Sequence, residues 1–282
     1  MRGASVRGLD DAVLVVCGGA ASRIVNGHTP HSIPIVKVHP AGAAERQVDD
    51  PDLASPIASG NRDALLARFD GLRAVLIFTV LGGHSGSAAY SEVISCAREK
   101  NCKVIVIAGL PLEFEATRER AFEQASKSFG QVDRMFIVDY AALFKIIMKG
   151  SDNCRLDAFF RICGHSVSFA IDNLASILEG PFFSTFSEHA YTFSYVNTMN
   201  PGDAAGIAVD VAPYDVDPSN GKMVITVGSA FRSVEIDTIV QSVVSATGIM
   251  PDIVFRDDLE DNKFVVFLPV RISPSSPRAF RS

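Results

Sequence analysis

The segment of this sequence best suited to chemistry is a glycine- and serine-rich loop, LGGHSGSA, at residues 81–88. An apolar run at residues 74–80 precedes it, and a run with helical spacing at residues 88–100 follows it. Glycines let backbone N–H groups approach an anion, and the dipole of the following helix attracts the same charge. The order strand, loop, helix therefore predicts a phosphate-binding loop and, with it, a nucleotide ligand.

The elements around this loop alternate between strands and helices. We expect strands at residues 12–19, 33–38, 74–80, 102–111 and 133–140, and helices at residues 62–71, 88–100 and 113–129. Alternation at this spacing is typical of a parallel, doubly wound α/β sheet, which binds ligands at the carboxyl ends of its strands. The glycines at 18–19 and 82–86 follow two of these strands and fall at that edge.

The second half of the chain changes character. A long helix is expected at residues 155–180, with apolar residues on most turns. Strands are then expected at residues 204–213, 222–231, 252–259 and 263–272, with a helix at residues 233–248. This order predicts an α+β domain with a mixed or mostly antiparallel sheet.

Length and composition predict a globular protein of two units. At 282 residues and 48% hydrophobic content, the chain exceeds the usual size of one core. A net charge of −6 provides no basic field, so nucleic acid is not an expected partner. No run approaches the roughly 20 apolar residues of a membrane span, and the first residues lack the apolar stretch of a signal peptide. We therefore expect a cytoplasmic protein without a membrane segment.

The five cysteines are odd in number and lack metal-type spacing, which favours free thiols over a disulfide framework. Cys17 beside the first glycines suits either a redox-sensitive thiol or a small buried residue, and burial is the expected state. His28 and His31 have no carboxylate or cysteine partner at helical spacing. We interpret them as loop residues and predict no metal held by protein ligands alone.

Four motifs in order give the chain a resemblance to the tubulin/FtsZ superfamily, over residues 12–272. Residues 17–26 resemble the first glycine loop of that family, and residues 82–88 its GGGTGTG signature. Residues 111–122 are similar to its PFxFEGKxRxxF segment, and residues 156–159 to the start of its central helix. A lone glycine motif is weak evidence, but four in the family's order are far more specific.

The resemblance implies that the chain is divided into regions with different functions. Residues 1–154 would form the GTPase-like nucleotide-binding domain, 155–180 the central helix and 181–273 the activation-type domain, with a short disordered tail at 274–282. It implies GTP or GDP as cofactor, with or without Mg²⁺. The expected partner is a second copy, added head to tail in a cytoskeletal filament, or a related filament protein. A role in cell division would rest on that analogy alone.

The resemblance also implies which residues contact the nucleotide. Glu115 matches the family glutamate that touches the ribose, and His165 stands near the place of the asparagine that reads the base. Arg23 has the donor geometry to hold a phosphate with two bonds. The full set of expected cofactor contacts is Gly18, Gly19, Ala20, Arg23, Gly82, Gly83, His84, Ser85, Gly86, Ser87, Glu115, Arg118 and His165.

The family's hydrolytic carboxylates are largely replaced. An ungapped match to its NxDxxD loop places Ser184, Phe186 and His189 at the three polar positions, and Glu188 is the remaining carboxylate. Glu188 is thus the candidate catalytic residue, and weak or absent hydrolysis is expected. The phenylalanines at residues 182–193 suit either an assembly interface or, more commonly, a packed core.

Two alternatives stay open. One is a pseudo-GTPase that has lost its nucleotide and acts as a scaffold or filament regulator. The other is an unrelated doubly wound enzyme that uses another nucleotide. The second is disfavoured because the sequence lacks a Walker-type GxxxxGK[ST] motif, a GxGxxG fingerprint and a Ser-His-Asp set.

Overall fold

The computed structural model describes residues 11–26, 30, 33–39, 57–58, 60–150, 155–178, 182–186, 190–197, 222–228, 230–256 and 263–270. By its contacts the chain divides into two compact units, residues 1–135 and 136–282. The functional division expected after residue 154 stays a prediction.

The first unit is a parallel sheet with helices between its strands. Its strands are β1 (Ala12–Cys17), β2 (Ile35–His39), β3 (Ile57–Ala58), β4 (Ala74–Val80) and β5 (Lys103–Leu110). Its helices are α1 (Gly19–Asn26), α2 (Arg62–Phe69), α3 (His84–Glu99) and α4 (Arg118–Phe129). The strands lie in the order β3-β2-β1-β4-β5, and each of the four neighbouring pairs is parallel.

The strand sequences explain this architecture. In β1 all six residues are buried, as are the first six of the seven in β4. Continuous β-branched and apolar runs of this kind suit a parallel sheet covered on both faces. Cys17 pairs in register with Thr79, so β1 and β4 end side by side at one edge.

The second unit contains most of β6 (Arg134–Asp139), followed by helices α5 (Tyr140–Gly150), α6 (Leu156–Leu178), α7 (Phe182–Thr185) and α8 (Ser233–Thr247). Its remaining strands are β7 (Ala190–Asn197), β8 (Met223–Gly228), β9 (Pro251–Arg256) and β10 (Lys263–Val270). The order is β7-β10-β8-β9. Strand β10 is antiparallel to β7 and β8, whereas β8 and β9 are parallel, so the sheet is mixed.

Most of the expected elements are present, but α1, β3 and α7 were not expected. Helix α3 begins at His84 rather than residue 88, because the glycine loop itself supplies the first helical turn. Helix α5 was not expected, and neither was β7, where tyrosines and phenylalanine alternate along the strand. The strand expected at residues 204–213 lies outside the described residues.

An aromatic cluster fills the core of the second unit. Phe186 is completely buried, and its ring lies 5.2 Å from that of Phe136, 5.1 Å from Tyr191 and 5.4 Å from Phe267, in each case edge to face. Edge-to-face pairs are a favoured aromatic geometry. For Phe186 the packed-core alternative is confirmed, and an assembly contact through this side chain is wrong because no part of it reaches the surface.

A buried polar link joins α6 to β8. The Thr226 hydroxyl donates to Asn173 Oδ1 (2.7 Å), and Asn173 Nδ2 donates to the Phe169 carbonyl one turn earlier (2.7 Å). Asn173 and Thr226 are both fully buried. Such a satisfied pair costs little, but each partner depends on the other to avoid a buried polar group without a hydrogen bond.

We expect Asn173→Ala to lower the free energy of unfolding by about 2–4 kcal/mol, because it removes packing and leaves the Thr226 hydroxyl without its acceptor. Thr226→Val in the Asn173→Ala background should cost far less than Thr226→Val alone. Urea denaturation of the four proteins in this double-mutant cycle measures the coupling. Strictly additive losses would contradict the link.

Candidate functional site

The two glycine segments meet at the carboxyl ends of β1 and β4. Gly18 has φ +87°, and a Cβ placed on it would lie 2.9 Å from the Gly86 Cα. A Cβ on Gly86 would in turn lie 3.4 Å from the Val80 carbonyl oxygen. No other residue type fits Gly18, because both its backbone conformation and its space exclude a side chain. The structure thus brings together the two loops that the sequence singled out.

Hydrogen bonds fix the strand ends beneath the loops. The Thr79 hydroxyl of β4 donates to the Cys17 carbonyl of β1 (3.3 Å), and the Gly18 N–H donates to the Val38 carbonyl of β2 (3.1 Å). The Ser22 N–H donates to the Gly18 carbonyl (3.0 Å), which starts α1 immediately after the first glycine turn. Strands β1, β2 and β4 and helix α1 therefore fix the backbone at Cys17 and Gly18.

Two helices begin at this edge, α1 at Gly19 and α3 at His84. Gly83 is the N-cap residue of α3, in extended conformation, and no side chain caps the helix. A helix leaves its first N–H groups without intrahelical partners and carries partial positive charge there. Cβ positions on Gly19 and Gly83 meet nothing within 4 Å, so the space beside both glycines is open. An anion is the ligand these features suit.

Helix α4 closes the other side of the second loop. Gly82 has φ +90°, and a Cβ on it would lie 2.6 Å from the Thr117 carbonyl oxygen, just before α4. The Gly82 N–H donates to Gln124 Oε1 (2.8 Å), and the Ser87 hydroxyl lies 2.9 Å from the same oxygen. Ser87 Oγ also donates to the Gly83 carbonyl. The Ser87 hydroxyl proton is thus engaged by acceptors of the chain itself.

Gln124 is the residue that motif comparison missed. It lies outside the glycine loops and two residues past the motif at residues 111–122. A signal was present in the spacing, because residues 117, 121 and 124 follow the i, i+4, i+7 pattern of one helix face. Ala121 between them is fully buried.

Glu115 and Arg118 lie in and after the loop at residues 111–117, which contacts Gly82 through Thr117. Glu115 Oε1 accepts the Leu112 N–H (2.9 Å), and its own N–H donates back to the Leu112 carbonyl (3.0 Å). The Arg118 guanidinium donates to the Pro111 carbonyl and lies 5.1 Å from the centre of the Phe122 ring. Both side chains are thus bonded within their own segment.

The remaining predicted site residues are spread over both units. Ala20 and Arg23 are exposed on α1, and His84 and Ser85 are the first residues of α3. His165 is partly buried on α6, in the second unit. Glu188, the candidate catalytic residue, lies outside the described residues. The ligand contacts assigned to all these positions stay predictions.

Cys17 is a buried small residue, as expected. Its thiol is 1% exposed, and burial, with a smaller contribution from the Glu92 carboxylate, raises its pKa far above the ordinary value. The reactive thiolate is therefore disfavoured. Cys17, Cys96, Cys102 and Cys163 are all buried, and none of the four forms a disulfide bond. Within the described part of the chain no three His, Cys, Asp or Glu side chains are grouped to hold a metal, and His28 and His31 lie outside that part.

Sequence comparison finds similarity to a cell division protein over about half of the chain. No protein-family model matches the chain. It is 25% identical over 137 residues to the cell division protein FtsZ of Wigglesworthia glossinidia brevipalpis. The match takes in 47% of this chain, and the chain spans about a third, 34%, of that relative's length.

Structural comparison extends over nearly the whole chain. An empty FtsZ dimer from M. jannaschii superposes with a TM-score of 0.68 at 15% identity, covering 92% of this chain and 87% of the other. A GTPγS-bound CetZ2 protofilament structure from Haloferax volcanii gives a TM-score of 0.66 at 14% identity, covering 94% of each chain.

The class of protein that the strand order, the paired glycine turns and these matches define is the tubulin/FtsZ fold. The expected fold class is confirmed, including the parallel first unit and the mixed sheet of the second. At this identity the likeness establishes the fold. None of the helices in the described ranges has the length and hydropathy to span a bilayer.

The glycine geometry predicts a sharp contrast between neighbouring positions. Gly82→Ala should lower the free energy of unfolding by about 2–4 kcal/mol, because alanine is strained at φ +90° and its methyl group would overlap Thr117. Gly83→Ala, the matched control one residue on, has extended backbone and open space, and should change stability by about 0.5 kcal/mol or less. Equal losses in chemical denaturation would show that this loop geometry is wrong.

Proposed function

We propose that this chain binds a guanine nucleotide at its paired glycine turns and associates head to tail as a tubulin/FtsZ-type cytoskeletal protein, with weak or absent GTP hydrolysis. The observation that carries the proposal is the meeting of Gly18 with Gly86 at the point where α1 and α3 both begin. Two helix N-termini at one sheet edge, with open space beside Gly19 and Gly83, provide the donors that a polyphosphate requires.

The residues present fit the phosphate part of such a ligand. Backbone N–H groups of the α3 N-terminus have no side-chain cap, and a bound phosphate would supply the missing acceptors. Arg23, exposed on α1, adds a positive charge on the helix that follows the first glycine turn. Mg²⁺ would have to come with the nucleotide, because the described part of the chain holds no ligand cluster of its own.

Self-association rests on the fold and on what its relatives' structures contain. The matched FtsZ structure is a dimer and the matched CetZ2 structure is a nucleotide-bound protofilament. A contact repeated head to tail between identical subunits gives an open filament. The single carboxylate, Glu188, in place of the family's loop acids is the reason for proposing slow turnover.

Two observations favour the second candidate function, a nucleotide-free scaffold or filament regulator. Glu115, the expected ribose contact, is hydrogen-bonded to Leu112, and Arg118, another expected nucleotide contact, is hydrogen-bonded to Pro111, so both are engaged within their own segment. The Ser87 hydroxyl is likewise engaged by Gly83 and Gln124. In that alternative the glycine turns serve folding alone, and protein partners supply the function.

The first test is calorimetry of GTP and GDP with the purified chain, with Mg²⁺ present and ATP as the comparison ligand. We expect guanine-selective binding at micromolar Kd. Gly83→Asp should abolish it, because a carboxylate at the N-cap takes the N–H groups that a phosphate would use and repels the phosphate charge.

This variant separates binding from folding. An N-cap Asp is expected to stabilise α3, so Gly83→Asp should raise Tm slightly while binding is lost, and Gly83→Ala should bind within a few-fold of the parent. Undiminished binding by Gly83→Asp would place the ligand elsewhere. Absence of GTP and GDP binding to the parent chain would favour the scaffold alternative.

Assembly requires a separate measurement. We expect the chain to pellet on ultracentrifugation in the presence of GTP and to release phosphate slowly or not at all. We further propose that the segment containing Glu188 contacts the next subunit rather than the nucleotide of its own chain. Glu188→Lys should then prevent pelleting while leaving nucleotide binding intact. Phe186→Ala is unsuitable for this test, since Phe186 belongs to the core. Normal pelleting of Glu188→Lys would exclude this segment as the contact.

A further inference from the structure

Gln124 Oε1 stands where two parts of the second glycine loop converge. It accepts the N–H of Gly82 at 2.8 Å and lies 2.9 Å from the hydroxyl of Ser87. Gly82 immediately precedes the N-cap of α3, and Ser87 closes its first turn through a Ser87 N–H bond to the Gly83 carbonyl (3.3 Å). This one side-chain oxygen thus contacts the residue before and the residue after the segment 83–86.

Those four residues carry the N–H groups that the proposed function assigns to phosphate. Their geometry is set at both ends, because Gly82 is in a left-handed conformation and Gly86 packs against the first glycine turn. Neither end has a side chain of its own that could fix it. A glycine-rich segment has high conformational entropy when free, so something outside the segment must hold it.

We propose that Gln124 is the positioning residue that preorganises the phosphate-binding loop from α4. This inference rests on the proposed function, since it assigns the N–H groups of residues 83–86 to the phosphates of a guanine nucleotide. Gln124 itself does not touch the ligand in this scheme. It acts by holding the loop at the geometry in which the donors converge, so that binding does not have to supply the ordering.

The chemistry at position 124 is specific. A backbone N–H can only donate, so the side-chain atom that faces Gly82 must be an acceptor. The Thr117 carbonyl, two turns before Gln124 on the same face, would lie 2.6 Å from a Cβ on Gly82 and so leaves no room for a larger residue there. Glutamine is long enough to reach Gly82 from two turns into α4 and carries an acceptor without adding a charge beside a phosphate site.

Three variants separate this role from simple packing. Gln124→Met keeps the size of the side chain but removes the acceptor. Gln124→Glu keeps an acceptor oxygen for Gly82 and Ser87. The matched control is Asn61→Ala, because Asn61 Oδ1 also accepts a backbone N–H, that of Ala64 at 3.2 Å, at the start of α2 and outside the glycine loops.

The first readout is amide hydrogen exchange of residues 82–87, which needs no ligand. We expect Gln124→Met to raise the exchange rate of the Gly82 amide about tenfold or more, and Gln124→Glu to retain most of the protection. Asn61→Ala should leave these amides unchanged. Equal protection of Gly82 in Gln124→Met and in the parent chain would overturn the inference, whether or not the chain binds a nucleotide.

The second readout is GTP affinity by calorimetry. We expect Gln124→Met to bind about tenfold more weakly than the parent at a temperature where both are folded, whereas Asn61→Ala should bind like the parent even if its Tm falls. A parent chain that fails to bind GTP would refute the proposed function and leave the exchange experiment to decide the role of Gln124. A parent that binds, with Gln124→Met equal to it, would refute the positioning role alone.

Discussion

The close approach of Gly18 to Gly86 is the constraint on which the candidate site depends. A distance of 2.9 Å from a Cβ position to a backbone carbon is closer than real Cβ atoms come, so the two turns can meet only as glycines. The approach follows from the register of β1 and β4, which end together at Cys17 and Thr79. At this edge the sheet register brings the two turns together, and their close approach requires glycine at position 18.

Sequence patterns were sufficient where a local signal and the tertiary environment agree. The strands of the first unit are unbroken apolar runs, and the same runs are buried in the sheet, so their positions could be read to within a few residues. The contact between the two glycine turns was also accessible, because parallel strands place their following loops at one edge. In such places hydrophobic burial decides the structure.

Strand β7 could not be predicted from the sequence because its alternating pattern conflicted with a family motif that is a loop. Strand β7 alternates Tyr191, Phe193 and Tyr195, but the family's loop was matched to residues 180–193 and so overlapped the first half of this strand. For Gln124 no motif pointed to a different role, and the only sequence feature that pointed to the site was its spacing on one face of α4. The partners of an amide oxygen on a helix surface depend on what packs against that face, and this information exists only in the folded chain.

The contacts around the loop at residues 82–88 also explain how its backbone is held although its sequence departs from the signature that it resembles. The signature's third glycine is replaced by His84 and its two threonines by Ser85 and Ser87, which removes conformational freedom at position 84 and changes the side chains at the other two. What remains is the backbone path, held by Gly18 on one side and by Thr117 and Gln124 on the other. A binding site made of backbone N–H groups tolerates changes in side chain as long as its path is fixed. On this reasoning the proposed phosphate binding depends less on the loop's own side chains than on the turn after β1 and on helix α4, which surround the loop.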